Sequence, residues 1–399
     1  MKLKIDDVSF EGMGVSHDLS KVVFVPNTLE GEEIEAHIVK EEKRYCVYEL
    51  DKVIKASNRR VTNLCPYKNC GGCRYLHTDY ANSLDIKKKN ITELFKKNGF
   101  DVPISVIENK QSLGYRNKIE LKIKDKQIGY YKEETHEFIP IKKCLLVKDS
   151  INNFLSEIDR LKIKDGSITI RANFNDILLV KINTLDDISL DQEYFQKYKV
   201  CGVVLNDKAV YNDDFFIEKS KYLYKVNVDS FFQVNSFISA QIQEDILKYF
   251  SSKDVVFDLY CGVGFFSIPL AYKTSKVLGI EYSKGSILNA LYNAKLNKVD
   301  NVYFNAGKVE DIINNVDIKP NKVVVDPPRS GLNKNVSKTL NKLKCDLIIY
   351  ISCNPLTLVR DLKLLDNYDV KKVTLYDMFS YTKHVESVVI LEKTKWRRN

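Results

Sequence analysis

From residue 255 to residue 353 the chain repeats one arrangement. "VVFDLY", "KVLGIEYS", "NVYFNAG", "KVVVDPP" and "DLIIYISC" are short apolar runs, most of them separated by helix-length segments. Alternating strand and helix signals leave few architectures open and predict a doubly wound parallel α/β sheet. Just ahead of them, "SFISAQIQEDILKYF" sets Ile238, Ile242, Ile246 and Phe250 four apart, one stripe of an amphipathic helix.

A chain of 399 residues is too long for a typical single core, so two or three domains are expected. Residues 1–56 alternate polar and apolar positions in short runs broken by turn signals, which predicts a small all-β barrel. Residues 57–228 open with a cysteine cluster, continue with one helical stretch near 80–100 that could pack on the following domain, and then carry strand-like pieces. Residues 229–399 hold the α/β repeat. The apolar runs fall far short of a membrane span, and the charged, alternating stretch "MKLKIDDVSF" lacks the apolar run expected of a signal peptide. A cytoplasmic protein is expected, in which cysteine clusters mean metal or catalysis rather than disulfides. A net charge of +9 suits a polyanionic partner, and equally a lysine-rich solvated surface.

Gly262 and Gly264 follow "VVFDLY" at a strand-to-helix turn, where glycine lets the backbone approach a nucleotide closely. Glu281 ends the next strand about twenty residues on, where an acid can accept from ribose hydroxyls. Asp258 and "VVVDPPR" suit a methyltransferase sheet binding S-adenosylmethionine better than a nicotinamide enzyme. Cys353 follows the fifth run and is followed by Asn354 and Pro355, which fix an extended, non-helical exit. Ligands of open α/β sheets bind beyond the carboxyl ends of the strands, so Cys353 is a candidate nucleophile as well as a candidate small buried hydrophobe.

"DPPRSG", sixteen residues, "IIYISCNPLT", and then "DMFSYTKHVESVVIL" resemble the S-adenosylmethionine-dependent RNA uracil-5-methyltransferase family. At the front, "FEGMGVS" and "KVVFVPNTLEGE" are similar to the TRAM domain, an oligonucleotide-binding barrel, of the family's 23S ribosomal RNA branch. The resemblance implies a Rossmann-like methyltransferase domain behind an OB-like barrel and a central iron–sulfur-containing α+β domain. It implies Cys353 as the nucleophile that adds to carbon 6 of uracil and Glu386 as the acceptor of the carbon-5 proton. Gln233, Tyr260, Glu281 and Asp326 match its cofactor positions. One departure stands out: Ser380 replaces the proline that usually follows "DMF".

Cys65, Cys70 and Cys73 form a C-x4-C-x2-C run, and Cys144 lies some seventy residues on. Four cysteines can ligate an iron–sulfur cluster or a tetrahedral zinc, and spacing favours neither. The resemblance implies a four-iron four-sulfur cluster on these four. Cys46, Cys201 and Cys345 read as structural, and Cys261 as packing. "IKKKNITELFKKNGF" and the tail "KTKWRRN" suit contact with RNA phosphates and bases, and equally an ordinary solvated face. The expectation is therefore a monomeric enzyme methylating a uridine of 23S ribosomal RNA, with no membrane partner. A tRNA uracil-5-methyltransferase and a non-catalytic RNA-binding protein on a decayed methyltransferase sheet are the alternatives. A nicotinamide oxidoreductase is a third, which gives no reason for "DPPRSG" and "SCNP" to occur together.

Overall fold

The computed structural model describes residues 1–67, 70–132 and 137–394. Its largest sheet has eight strands: β1 (Ile104–Ile107), β2 (Val255–Leu259), β3 (Lys276–Glu281), β4 (Val302–Ala306), β5 (Lys322–Val325), β6 (Leu347–Ser352), β7 (Tyr368–Tyr376) and β8 (Glu386–Lys393). They run in the order β4-β3-β2-β5-β6-β8-β7-β1. The first five in that order are parallel, β8 is antiparallel to both its neighbours, and β1 is parallel to β7. All six residues of β6 are buried, as expected for a strand covered on both faces. Because side chains alternate across a strand, Val256, Val324 and Ile349 pack into one core while Phe257, Val323 and Ile348 pack into another.

The predicted amphipathic helix spans Ser236–Leu247 and buries Ile238, Ile242 and Ile246, while Phe250 lies just past its end and is also buried. Asn235 caps it, its side chain accepting from the Ile238 amide at 3.1 Å. Helix α1 (Tyr80–Lys97) is capped by Asp79, which accepts from the Asn82 amide, and it ends ahead of Gly99 at φ +88°. Its buried face is Ser83, Leu84, Lys87, Ile91 and Phe95, and Ile91 and Phe95 join a core of the eight-stranded sheet. Thus the segment 57–228 gives the sheet a helix and an edge strand, β1. Lys87 belongs to the basic stretch read as suited to RNA contact or, equally, as a solvated face, yet it is buried.

The front of the chain folds as a six-stranded sheet over residues 2–55, wrapped around Leu3, Ile5, Val23, Val25, Ile34 and Ala36. No pairing among the described residues joins its outer strands, Lys2–Lys4 and Asp7–Val8. A seven-stranded sheet covers residues 118–212, and a two-stranded ribbon (Phe215–Lys219 with Leu223–Asn227) leads into the α/β sheet. Among the described residues no helix is long and apolar enough to cross a membrane. Of the basic tail, residues 395–399 lie outside the described residues.

Candidate functional site

Beyond β2 the chain turns sharply. Tyr260 (φ +64°), Gly262 (φ +54°) and Gly264 (φ +84°) all take left-handed conformations, which a tyrosine adopts only under strain. A Cβ built on Gly262 would meet nothing within 4 Å, so the turn faces open space. Glu281, at the end of β3, accepts from the Gly262 amide at 3.2 Å and from the Ser283 amide at 2.7 Å. The acid expected to face a ribose is also the bracket that ties the two strand ends together. A cavity of about 420 Å³ opens beside this turn, lined by Tyr260, Tyr282, Val309, Glu310, Pro328 and Leu332. Gln233 lies in the loop before Ser236–Leu247, held by its backbone, since Asn117 Nδ2 donates to its carbonyl at 3.1 Å.

The second cavity, about 200 Å³, is where Cys353 sits. Arg329, Asn354, His384 and Val385 line it, and so do Phe10 and Glu11 from the N-terminal sheet. Three elements converge there: the "DPPRSG" loop after β5, the exit of β6, and the connection that enters β8 at Glu386. Burial pushes the Cys353 thiol up to about 11; the neighbouring Glu386 and Asp326 add to this, and the Arg329 guanidinium opposes it. Burial likewise lifts Glu386 well above the usual carboxylate range, with Asp326 reinforcing and Arg329 opposing. Asp326 is pushed up to about 7 by burial and then by Asp258, itself buried and raised to about 7. His384 falls to about 4, through burial and the nearby Arg329 and Lys383 charges. In the free protein near pH 7 the Cys353 thiol therefore holds its proton.

The "DPPRSG" loop is clamped from the helix Pro355–Leu362. Asn354 Nδ2 and Thr357 Oγ1 donate to the Arg329 carbonyl at 3.0 and 3.1 Å. Asp361, fully buried, accepts from the Leu332 amide (2.6 Å), the Tyr350 hydroxyl (2.7 Å) and Arg360 Nε (2.8 Å). A side chain on Gly331 would meet the Asp361 carboxylate at 2.3 Å, so the motif's glycine is required by this clamp. Phe10, Glu11 and Asp361 were not singled out from the sequence. For Asp361, the signal was a carboxylate on the apolar side of an amphipathic helix.

Cys65, Cys70, Cys73 and Cys144 come within electrostatic range of one another. Burial raises the Cys73 thiol far above its ordinary value, and charge on Cys144, Cys70 or Cys65 would raise it further. Gly71, at φ +77°, makes the turn between Cys70 and Cys73. Four half-buried thiols can ionise together only around a cation, and such a donor set suits zinc or an iron–sulfur centre. As placed, no group of three or more His, Cys, Asp or Glu side chains among the described residues closes into a metal site. All nine cysteines are free thiols; Cys46, Cys261 and Cys345 are buried and Cys201 is half-buried.

Comparison with known proteins bears on this geometry. The family model described as tRNA (Uracil-5-)-methyltransferase matches residues 172–394. An uncharacterized RNA methyltransferase of Aquifex aeolicus is 34% identical over 98% of each chain. One of Clostridium acetobutylicum is 31% identical over 98% of this chain and 96% of its own. Among solved structures, the tRNA (uracil-54, C5)-methyltransferase of Pyrococcus abyssi, in complex with S-adenosyl-L-homocysteine, superposes with a TM-score of 0.81 at 26% identity. That match covers 98% of this chain and 100% of the other.

Proposed function

The chain belongs to the RNA uracil-5-methyltransferase family, and from that premise we propose that it methylates carbon 5 of a uridine in structured RNA, with Cys353 as nucleophile and Glu386 as base. The observation that carries the reading is the meeting at the strand ends of a thiol, a guanidinium, the buried Glu386 carboxyl and the half-buried Asp326 carboxyl. Cys353 first releases its proton to water, and the thiolate left beside Arg329 adds to carbon 6 of the uracil while the ring's double-bond pair moves to the carbon-4 oxygen as an enolate. Carbon 5 of that enolate attacks the methyl group of S-adenosylmethionine, and the departing sulfur keeps the bonding pair. Glu386 then takes the carbon-5 proton, the ring double bond re-forms, and the sulfur–carbon-6 bond breaks to return the thiolate. S-Adenosylmethionine supplies both the methyl group and a positive sulfonium.

The raised proton affinity of Glu386 suits this order. A sulfonium charge nearby favours the ionised carboxylate, and methyl transfer removes that charge. Glu386 thus becomes a stronger base at the step where it must accept a proton. Gln233, Tyr260, Gly262, Gly264, Glu281 and Asp326 are proposed to hold the cofactor; of these, Tyr260 lines the cavity beside the β2 turn. The target base leaves its stack to reach the smaller cavity.

The substrate proposed is 23S ribosomal RNA, with the N-terminal sheet acting as an RNA-binding TRAM domain and the four cysteines holding a four-iron four-sulfur cluster in a structural or RNA-positioning role. A tRNA substrate is the second reading. It is favoured by the Pyrococcus tRNA enzyme, whose likeness to this chain spans 98% of it, front included, so the front does not discriminate. Labelled S-adenosylmethionine with unmodified ribosomal RNA and tRNA, followed by mapping, decides between them; label in tRNA alone overturns the first reading. Anaerobically purified protein is expected to be brown and to carry iron and sulfide. Colourless, zinc-loaded protein would contradict the cluster.

A further inference from the structure

Glu386 is the first residue of β8 and pairs with Tyr376, the last of β7, so the connection 377–385 closes between them. Its conformation decides where the carboxyl stands. The connection is held by the segment of chain ahead of the α/β sheet. Lys87, on the buried face of α1, donates to Asp377 Oδ1 at 2.7 Å and to the Phe379 carbonyl at 3.1 Å. The side chains of this pair are 4% and 1% exposed. Asp377 Oδ2 accepts from the Tyr80 hydroxyl at 2.7 Å, and that hydroxyl accepts from the Asn109 amide at 2.8 Å.

The next residues are tied as firmly. Asn109 Nδ2 donates to Ser380 Oγ at 3.0 Å, and the Tyr115 hydroxyl donates to the Ser380 carbonyl at 3.3 Å. Ser380 is fully buried, so where the motif usually has a proline ring this chain has a hydrogen-bonded hydroxyl. Tyr381 sits at φ +60°, and its carbonyl accepts from the Arg74 and Tyr75 amides at 2.8 and 3.1 Å. None of these groups lines the Cys353 cavity. A lysine and an aspartate are almost never this deeply buried unless paired, as Lys87 and Asp377 are.

We propose that Lys87, together with Tyr80 and Asn109, forms a positioning set that holds residues 377–385 so that Glu386 faces the carbon-5 proton of the Cys353-bound uracil. This rests on the function proposed above. Its specific content is that loosening the anchor slows proton removal, the step after methyl transfer, while cofactor binding is left alone. The account also explains why Ser380 is accepted in place of proline: the Asn109 hydrogen bond fixes what the ring would otherwise fix.

The test uses the full-length protein. Lys87→Met alone strands the Asp377 carboxylate, so the paired Lys87→Met/Asp377→Asn variant removes the ion pair without leaving a buried charge. Tyr80→Phe and Ser380→Ala loosen the same connection more mildly. With substrate RNA and S-adenosylmethionine, kcat of the paired variant should fall about tenfold to a hundredfold, the range for a misplacement of about 1 Å, with KM for S-adenosylmethionine within about twofold. The share of enzyme trapped as methylated covalent adduct on a denaturing gel should rise severalfold. Lys87→Arg should recover part of the rate. Hydrogen exchange should quicken across residues 377–386 and stay unchanged in β2 and β5.

The proposal is overturned if the folded paired variant turns over at the parent rate, or if adduct and product fall together. It is also overturned if exchange across 377–386 is unaltered. Parent enzyme that forms no adduct with any uridine-containing RNA refutes the chemistry instead, and the exchange comparison still judges the anchor.

Discussion

Replacing Asp361 with alanine tests whether the loop bearing Asp326 and Arg329 is held from the helix behind it. Asp361 lies outside the cavity, and its carboxylate accepts from the Leu332 amide, the Tyr350 hydroxyl and Arg360. Leu332 and Tyr350 are both buried, so alanine leaves two donors without an acceptor and with no ready access to water. A stranded buried donor costs about 1–3 kcal/mol, which sums to about 2–6 kcal/mol. The partly exposed Arg360 pair adds at most about 1 kcal/mol. Against a stability of about 5–15 kcal/mol, a loss at the lower end of about 2–6 kcal/mol leaves the domain folded while the loop loses its reason to adopt one conformation. Asp361→Asn keeps one acceptor oxygen and should show about half the loss. Thermal unfolding gives the stability change, and the alkylation rate of Cys353 by iodoacetamide reports whether Arg329 still stands beside the thiol. Slower alkylation together with a lowered midpoint is expected. Unchanged values of both in Asp361→Ala would refute the clamp.

Gly262→Ala places a methyl group in the open space beside the β2 turn at φ +54°. Calorimetry should show S-adenosylmethionine affinity falling more than about tenfold, with backbone strain of only about 1 kcal/mol; parent-like affinity would move the cofactor elsewhere. Asp258 and Asp326 are raised to about 7, so the folded state binds more protons than the unfolded chain between about pH 4 and 7. Their contribution to stability is full below the unfolded carboxylate range and is lost as pH rises through the folded values. His77 and His384, lowered to about 4, act oppositely, their contribution being lost as pH falls from about 6.5. On going from pH 8 to 6.5 the two carboxyls should therefore raise the stability of the free protein, and the histidines, half protonated in the unfolded chain at about pH 6.5, offset only part of that rise. Asp326→Asn should flatten that rise in a thermal scan, and an equal rise in the variant would count against the assignment.

The parallel half of the sheet was legible because a doubly covered strand must be apolar throughout, as in "LIIYIS", and because βαβ spacing admits one arrangement. The Cys353 exit was legible only in part: Asn354 is extended as expected, but the exit expected to be non-helical turns at once into a helix at Pro355, with the Asn354 side chain accepting from the Leu356 amide as its cap. Strand β1 was not, since "ISVI" finds its partner in Val373–Tyr376, far along the chain, through backbone bonds indifferent to side-chain identity. Lys87 was misleading for a different reason. In "IKKKN" three lysines look alike, and only the spacing Ser83-Lys87-Ile91-Phe95 distinguishes the one that turns inward. Glu281 was expected at the pocket edge, and its bonds to two backbone amides could not be anticipated from a strand-end acid. The part played by Phe10 and Glu11 comes from packing between segments more than 300 residues apart, which no local pattern encodes.

The central claim is that Cys353 becomes covalently attached to carbon 6 of a uracil. RNA transcribed with 5-fluorouridine tests it directly, because after methyl transfer carbon 5 of that base has no proton for Glu386 to remove and the sulfur–carbon bond persists. Incubation with S-adenosylmethionine should give one protein–RNA band that survives denaturation, with peptide mapping locating the link at Cys353 and no band from Cys353→Ala. A parent protein that methylates uridine in RNA without forming that bond, or a Cys353→Ala variant that still forms it, would contradict the account.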